Sequence, residues 1–132
     1  MSAFAGFPPD AWKFLDLLAA DNTAACFDRH RDTYQSAIAT PSHALVEALV
    51  PRLAAEVHPA LTGEAKVGRS LFRFNRDTRF STDKTPYKTY VDPLFWVGDG
   101  DPRSSAACIV RLTSTTVLTG AGRIGLRGAD LA

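Results

Sequence analysis

The chain has 132 residues, 45% of them apolar and 22% charged, with a formal net charge of +1. That length and composition suit one soluble globular domain over residues 1–132 and exclude a chain that is disordered for most of its length. The near-neutral total argues against bulk electrostatic binding to nucleic acid or to an anionic membrane, though it leaves nucleic acid open as a partner.

The first half predicts helices. Pro8 and Pro9 suit a helix start, and Asp10 favours the first turn through the backbone dipole. Ala11, Phe14, Leu15 and Leu18 then share one face. A second helix starts after Asn22 or Thr23, either of which can cap it. Its stripe is Phe27, His30, Tyr34, Ala37 and Ile38, with His30 expected as a satisfied, partly buried histidine. A third helix is expected at Thr40-Pro41, with Thr40 as cap and Pro41 at the first helical position. Leu45, Leu49 and Leu53 follow at steps of four, and Pro51 should kink or split that helix, because proline removes a backbone donor.

The second half predicts strands. Residues 71–75 and 90–97 are rich in aromatic and branched side chains. In a strand, Leu71, Arg73, Asn75 and Asp77 would share one face, and Phe72, Phe74 and Arg76 the other, with the phenylalanines packed on the helices. Residues 77–87 are polar and contain Pro86, which predicts a long loop. Residues 98–102 form a turn by composition. Residues 106–112 and 115–119 read as two further strands, joined by a hairpin around Thr113-Ser114. Helices followed by strands give an α+β fold, with about three N-terminal helices before a mainly antiparallel sheet. Residues 128–132 read as the opening of another helix, so the domain is expected to be incomplete at the C-terminus, with a sheet edge left uncovered.

The charge is unevenly spread. From Arg69 to Lys88 there are six cations and two anions, a local charge of +4 that leaves −3 on the rest of the chain. Arginine forks suit carboxylates and phosphates, because two parallel N–H groups match two oxygens. Arg73, Arg76 and Arg79 are therefore candidate contacts for a small anionic ligand, with Asp77 orienting an arginine. Lys84 and Lys88 add charge, and Tyr87 can stack or donate a hydrogen bond. If chemistry follows binding, Asp77, Asp83 and Tyr87 are the candidate proton-transfer groups, and Arg76 and Arg79 would stabilise negative charge. Binding alone fits the same residues. Two other readings stand beside this one. Phe80 and Tyr87 can stack on bases in a nucleic-acid or protein interaction module. Alternatively the charges pair with one another and knit a loop together, with no ligand.

Residues 68–90 also closely resemble the signature of the domain of unknown function 2461 family, carried by Arg73, Asn75, Arg76, Asp77, Arg79, Phe80, Ser81, Asp83, Lys84, Pro86, Tyr87 and Lys88. Gly6-Phe7, Phe14-Leu15, Asn22, Phe27, Tyr34 and Pro41 extend the likeness to about residues 4–125. Ala25-Cys26 departs from it, since the family commonly has a charged residue and tryptophan before the phenylalanine. The resemblance implies an α+β fold and a chain that usually continues past Ala132. It implies no established activity, substrate or cofactor.

Other familiar signals are weak. Gly120, Gly122 and Gly125 complete a G-x-G-x-x-G pattern after strand-like residues, but Gly128 weakens the helix that a dinucleotide site needs, and a glycine-rich turn or bulge explains the same residues. His30, His43 and His58 lack zinc-site spacing, and Asp99 and Asp101 lack the other ligands of a calcium loop, so no metal and no cofactor is expected. Cys26 lies four residues from His30, yet a core cysteine fits better than a nucleophile. With no signal peptide and no apolar run of membrane-spanning length, a cytoplasmic protein with two free thiols and no membrane association is expected.

Overall fold

The computed structural model describes residues 4–123. Helix α1 spans Pro9–Ala20, with Pro9 in the first turn and Asp10 beside the exposed amide groups. Ala11, Phe14, Leu15 and Leu18 are buried along one face, the stripe read from the sequence. Thr23 caps α2 (Ala24–Arg29), its hydroxyl accepting from the Cys26 amide at 3.1 Å. His30 ends α2 and is satisfied locally, with Nδ1 2.9 Å from the Cys26 carbonyl.

The third long helix begins at Thr40 as expected, with Pro41 in its first turn, but Thr40 does not cap it. A short α3 (Arg31–Thr33) runs into a π-helical turn, Tyr34–Ala39, and on into α4 (Thr40–Glu56). Thr40 has helical dihedrals, and its amide bonds to the Gln35 carbonyl five residues back, so it is not a cap. The physical reason lies in Pro41, which has no amide hydrogen and whose ring crowds the carbonyl four residues earlier. Widening the turn just before it opens that space. The Ser42 hydroxyl donates to the Ile38 carbonyl at 2.6 Å within the same segment. Pro51, on the exposed side of α4, does not split the helix, which continues to Glu56.

Four antiparallel strands follow in the order β1 (Leu61–Thr62), β2 (Leu94–Val97), β3 (Ala107–Leu112) and β4 (Val117–Gly122). Leu61 faces Val97, Phe95 faces Cys108 and Leu112 faces Val117. The architecture is therefore α+β, with the helices first and an antiparallel sheet after them. Residues 71–75 are not a ladder strand. Leu71 and Phe74 are both buried, a spacing of three that breaks two-residue alternation, and the segment makes only isolated bridges. Phe72 stays half-buried instead of packing on the helices. Of residues 90–97 only Leu94–Val97 pair as a strand, because Pro93 offers no donor to a ladder; its carbonyl accepts from Val110. Gly120 and Gly122 lie inside β4, opposite Ile109 and Ala107, which removes the strand-then-glycine-turn context of a dinucleotide site. Gly125 and residues 128–132 lie outside the described residues. All six residues of β4 are exposed.

Two apolar clusters fill the space between helices and sheet. One joins α1, α2 and the π-helical turn to Phe74, Tyr87, Val91 and Leu112. The other joins Val46 of α4 to Leu61, Leu71 and Phe95. At Gly63 a β-carbon would lie 2.8 Å from the Phe95 ring and 2.7 Å from Ser70 Oγ, so this close approach needs glycine. Cys26 and Cys108 are free thiols. Among the described residues, no helix is long and apolar enough to cross a membrane.

Candidate functional site

The basic stretch forms a loop with a closed neck. Asn75 bridges Tyr87, the Arg76 amide donates to the Pro86 carbonyl at 2.8 Å, and the Lys88 amide donates to Phe74 at 2.9 Å. The neck is pinned by its aromatic residues. Phe74 lies 5.1 Å from the Tyr34 ring and 6.0 Å from Phe14, and Tyr87 stacks on Phe27 at 4.6 Å. Asn22, between α1 and α2, clasps the backbone of Tyr87. Its side-chain oxygen accepts from the Tyr87 amide at 2.9 Å, and its amide nitrogen donates to the Tyr87 carbonyl at 3.0 Å. Tyr87 is thus a buried neck residue, 8% exposed, whose ring belongs to the core.

Beyond the neck, the charges pair with one another. Arg79 grips Asp77 with two parallel bonds, Nε–Oδ1 at 3.0 Å and Nη2–Oδ2 at 2.8 Å. Those bonds hold the Asp77 carboxyl at about 2, well below the usual carboxylate range. Arg76 donates to the Thr85 hydroxyl at 2.6 Å and its carbonyl at 3.0 Å, with the Asp83 carboxylate 3.3 Å away. The Thr85 amide, bonded to Asp83 at 3.0 Å, lowers the Asp83 carboxyl. Lys84 donates to the Thr78 carbonyl at 2.6 Å. Phe80 stands 94% exposed, with the Arg79 guanidinium 5.6 Å from its ring centre.

Arg73 and Lys88 lie apart from that network, at a cleft of about 590 Å³. One wall is the π-helical turn and the start of α4, with Tyr34, Ile38, His43 and Glu47; the other carries Phe72, Arg73, Lys88, Tyr90 and Asp92. The Lys88 side chain is only 15% exposed, with Nζ 3.7 Å from Asp92 Oδ1 and 5.1 Å from the centre of the Phe72 ring. Arg111 of β3 approaches the other oxygen of Asp92 at 3.6 Å, and its guanidinium carbon lies over the Tyr90 ring, 4.1 Å from the ring centre. Both contacts exceed hydrogen-bond length, and the buried Arg111 Nε has no partner among the described residues. Burial accordingly outweighs the two cations and raises the Asp92 carboxyl, as it raises the Tyr34 phenol.

The sequence profile of the conserved hypothetical proteins DUF2461 matches residues 10–132. The chain belongs to this family. No curated protein and no solved structure matches it. The stretch that the family match covers contains the loop, its neck and both walls of the cleft. Sequence reasoning found the loop but missed Asn22 as its clasp, and missed Glu47, Tyr90, Asp92 and Arg111. The alternation Lys88-Thr89-Tyr90 just past the motif was a local hint. Asn22 had none beyond its capping chemistry, because its partner is 65 residues away.

Proposed function

We propose that the protein binds a small anion-bearing ligand in the cleft, with Arg73 and Lys88 as its contacts. Arg76, Asp77, Arg79, Asp83 and Lys84 brace the loop that carries them, and Tyr87 anchors its neck. One observation supports this most strongly. Of the six cations between Arg69 and Lys88, Arg73 alone has no ion pair or hydrogen bond among the described residues, and it lines the cleft. A cleft of this volume is within the range of small-molecule sites. Exposed Phe80 beside Arg79 favours a second reading, an interaction module that stacks on bases or on a partner protein.

The test is a thermal-unfolding screen against phosphate, sugar phosphates, nucleotides, dicarboxylates and short oligonucleotides. A ligand at a hundred times its dissociation constant adds about 2.7 kcal/mol, a shift of several degrees in a domain of this size. The expected result is a shift with a small anion that Arg73→Ala abolishes and Arg79→Ala preserves. No shift with any small anion overturns the reading. A shift with oligonucleotides alone, falling steeply with salt, moves the function to the second one.

A further inference from the structure

The cleft does not present uniform positive charge. Its lining holds two cations, Arg73 and Lys88, and two anions, Glu47 and Asp92. Lys88 and Asp92 are paired with each other, and Asp92 is shared with Arg111 behind it. What remains is Arg73 on one wall and Glu47 on the other. Neither has an ion pair or hydrogen bond among the described residues, and no ion pair joins them, so their charged atoms lie more than 4.0 Å apart.

Glu47 is not neutralised along its own helix. Its neighbours one turn away on α4 are His43, Ala44, Val50 and Pro51, none of them lysine or arginine. The residues beside it that face inward, Leu45 and Val46, belong to the core, which leaves Glu47 on the flank that looks into the cleft. The rest of the lining is mixed, with Ile38, Ala39, Leu71 and Phe72 beside the polar Gln35, Thr40 and Ser42. A small anion would satisfy Arg73 and leave Glu47 facing an anionic guest.

We infer that the ligand is a zwitterion, a small molecule with a carboxylate or phosphate at one end and an amine at the other. The anionic end meets Arg73, with Lys88 behind it. The ammonium end meets Glu47, and the body of the ligand spans the cleft between them. This rests on the cleft-binding reading above and adds to it the second charge and its position.

The experiment compares matched probes by titration calorimetry at low salt and about pH 8, where the carboxylate and the amine of a free aminoalkanoate are both charged. The probes are aminoalkanoates of increasing length and O-phosphoethanolamine, set against butyrate, ethyl phosphate and butylamine. The expected result is that one zwitterion binds at least about tenfold tighter than its anion-only partner, the effect of one partly desolvated ion pair. Glu47→Gln removes that advantage without weakening the anion-only probe, whereas Arg73→Gln weakens both. Both side chains are exposed, so neither change threatens folding. If anion-only probes bind as tightly as zwitterions, or Glu47→Gln changes nothing, the zwitterion inference fails and the cleft reading survives. If no anionic probe binds the wild-type protein, both fail together.

Discussion

Replacing Asn22 by alanine tests whether one side chain couples the helices to the basic loop. Asn22 holds both backbone groups of Tyr87 at 2.9 and 3.0 Å, and Tyr87 is 8% exposed. Each such bond contributes about 1 kcal/mol net, and a backbone group left dry costs more than that. Tyr87 is close enough to the surface for water to replace part of the loss, so Asn22→Ala should cost about 2–3 kcal/mol. For a domain of this size that is a fall of roughly 6–10 °C in melting temperature. Urea denaturation should show a lower midpoint with an unchanged slope. Amide exchange gives the local readout, because the Tyr87 N–H should lose protection. Thr23→Ala is the control: it removes the cap on Cys26, costs about 1 kcal/mol and leaves Tyr87 protected. A midpoint within about 0.5 kcal/mol of wild type, with Tyr87 exchange unchanged, would refute the coupling.

Two further outcomes follow from the same structure. Phe74→Ala empties a site 8% exposed among Phe14, Phe27 and Tyr34 and should cost about 3–5 kcal/mol in urea unfolding; a loss under about 1 kcal/mol would mean the neck is not part of the core. In a carboxyl NMR titration, Asp77 should titrate at about 2 and Asp92 above the ordinary 3.8, and the reverse order would show that the ion pairs are misassigned. The signs are opposite. The contribution of Asp77 is present above 3.8 and lost as pH falls towards 2, whereas that of Asp92 is present below 3.8 and lost as pH rises through its raised folded value.

Much of the helical half was legible because its signals are local. Proline at the start of α1, the Thr23 cap and the Ala11, Phe14, Leu15, Leu18 stripe each act within one or two turns. Thr40-Pro41 misled because a cap followed by proline looks the same whether the chain begins a helix there or widens a turn to pass through. Residues 71–75 misled because aromatic composition favours strands, while their burial follows the neck and the aromatic cluster across the chain. The loop was visible as a density of charge, but which cations pair depended on its fold. Asp77 went to Arg79, Asp83 to Arg76, and Arg73 was left at the cleft. Glu47 and Asp92 sit in unremarkable local sequence and gain meaning only when the two walls come together.

The widened turn at Tyr34–Ala39 sets the phase of everything after it on α4. A hydrogen bond that reaches back five residues encloses one residue more than the four-residue bond of an ordinary helix. Had the chain stayed α-helical there, α4 would be rotated by roughly 100°, the angle of one residue in a turn of 3.6. Val46 would leave the apolar cluster and Glu47 would swing off the cleft wall. One surplus residue upstream thus decides which side chains the helix offers to a guest and which it gives to the protein interior. Deleting Ser36 or Ala37, the two residues of the turn that do not line the cleft, would rewrite the wall that α4 supplies without changing any of its side chains.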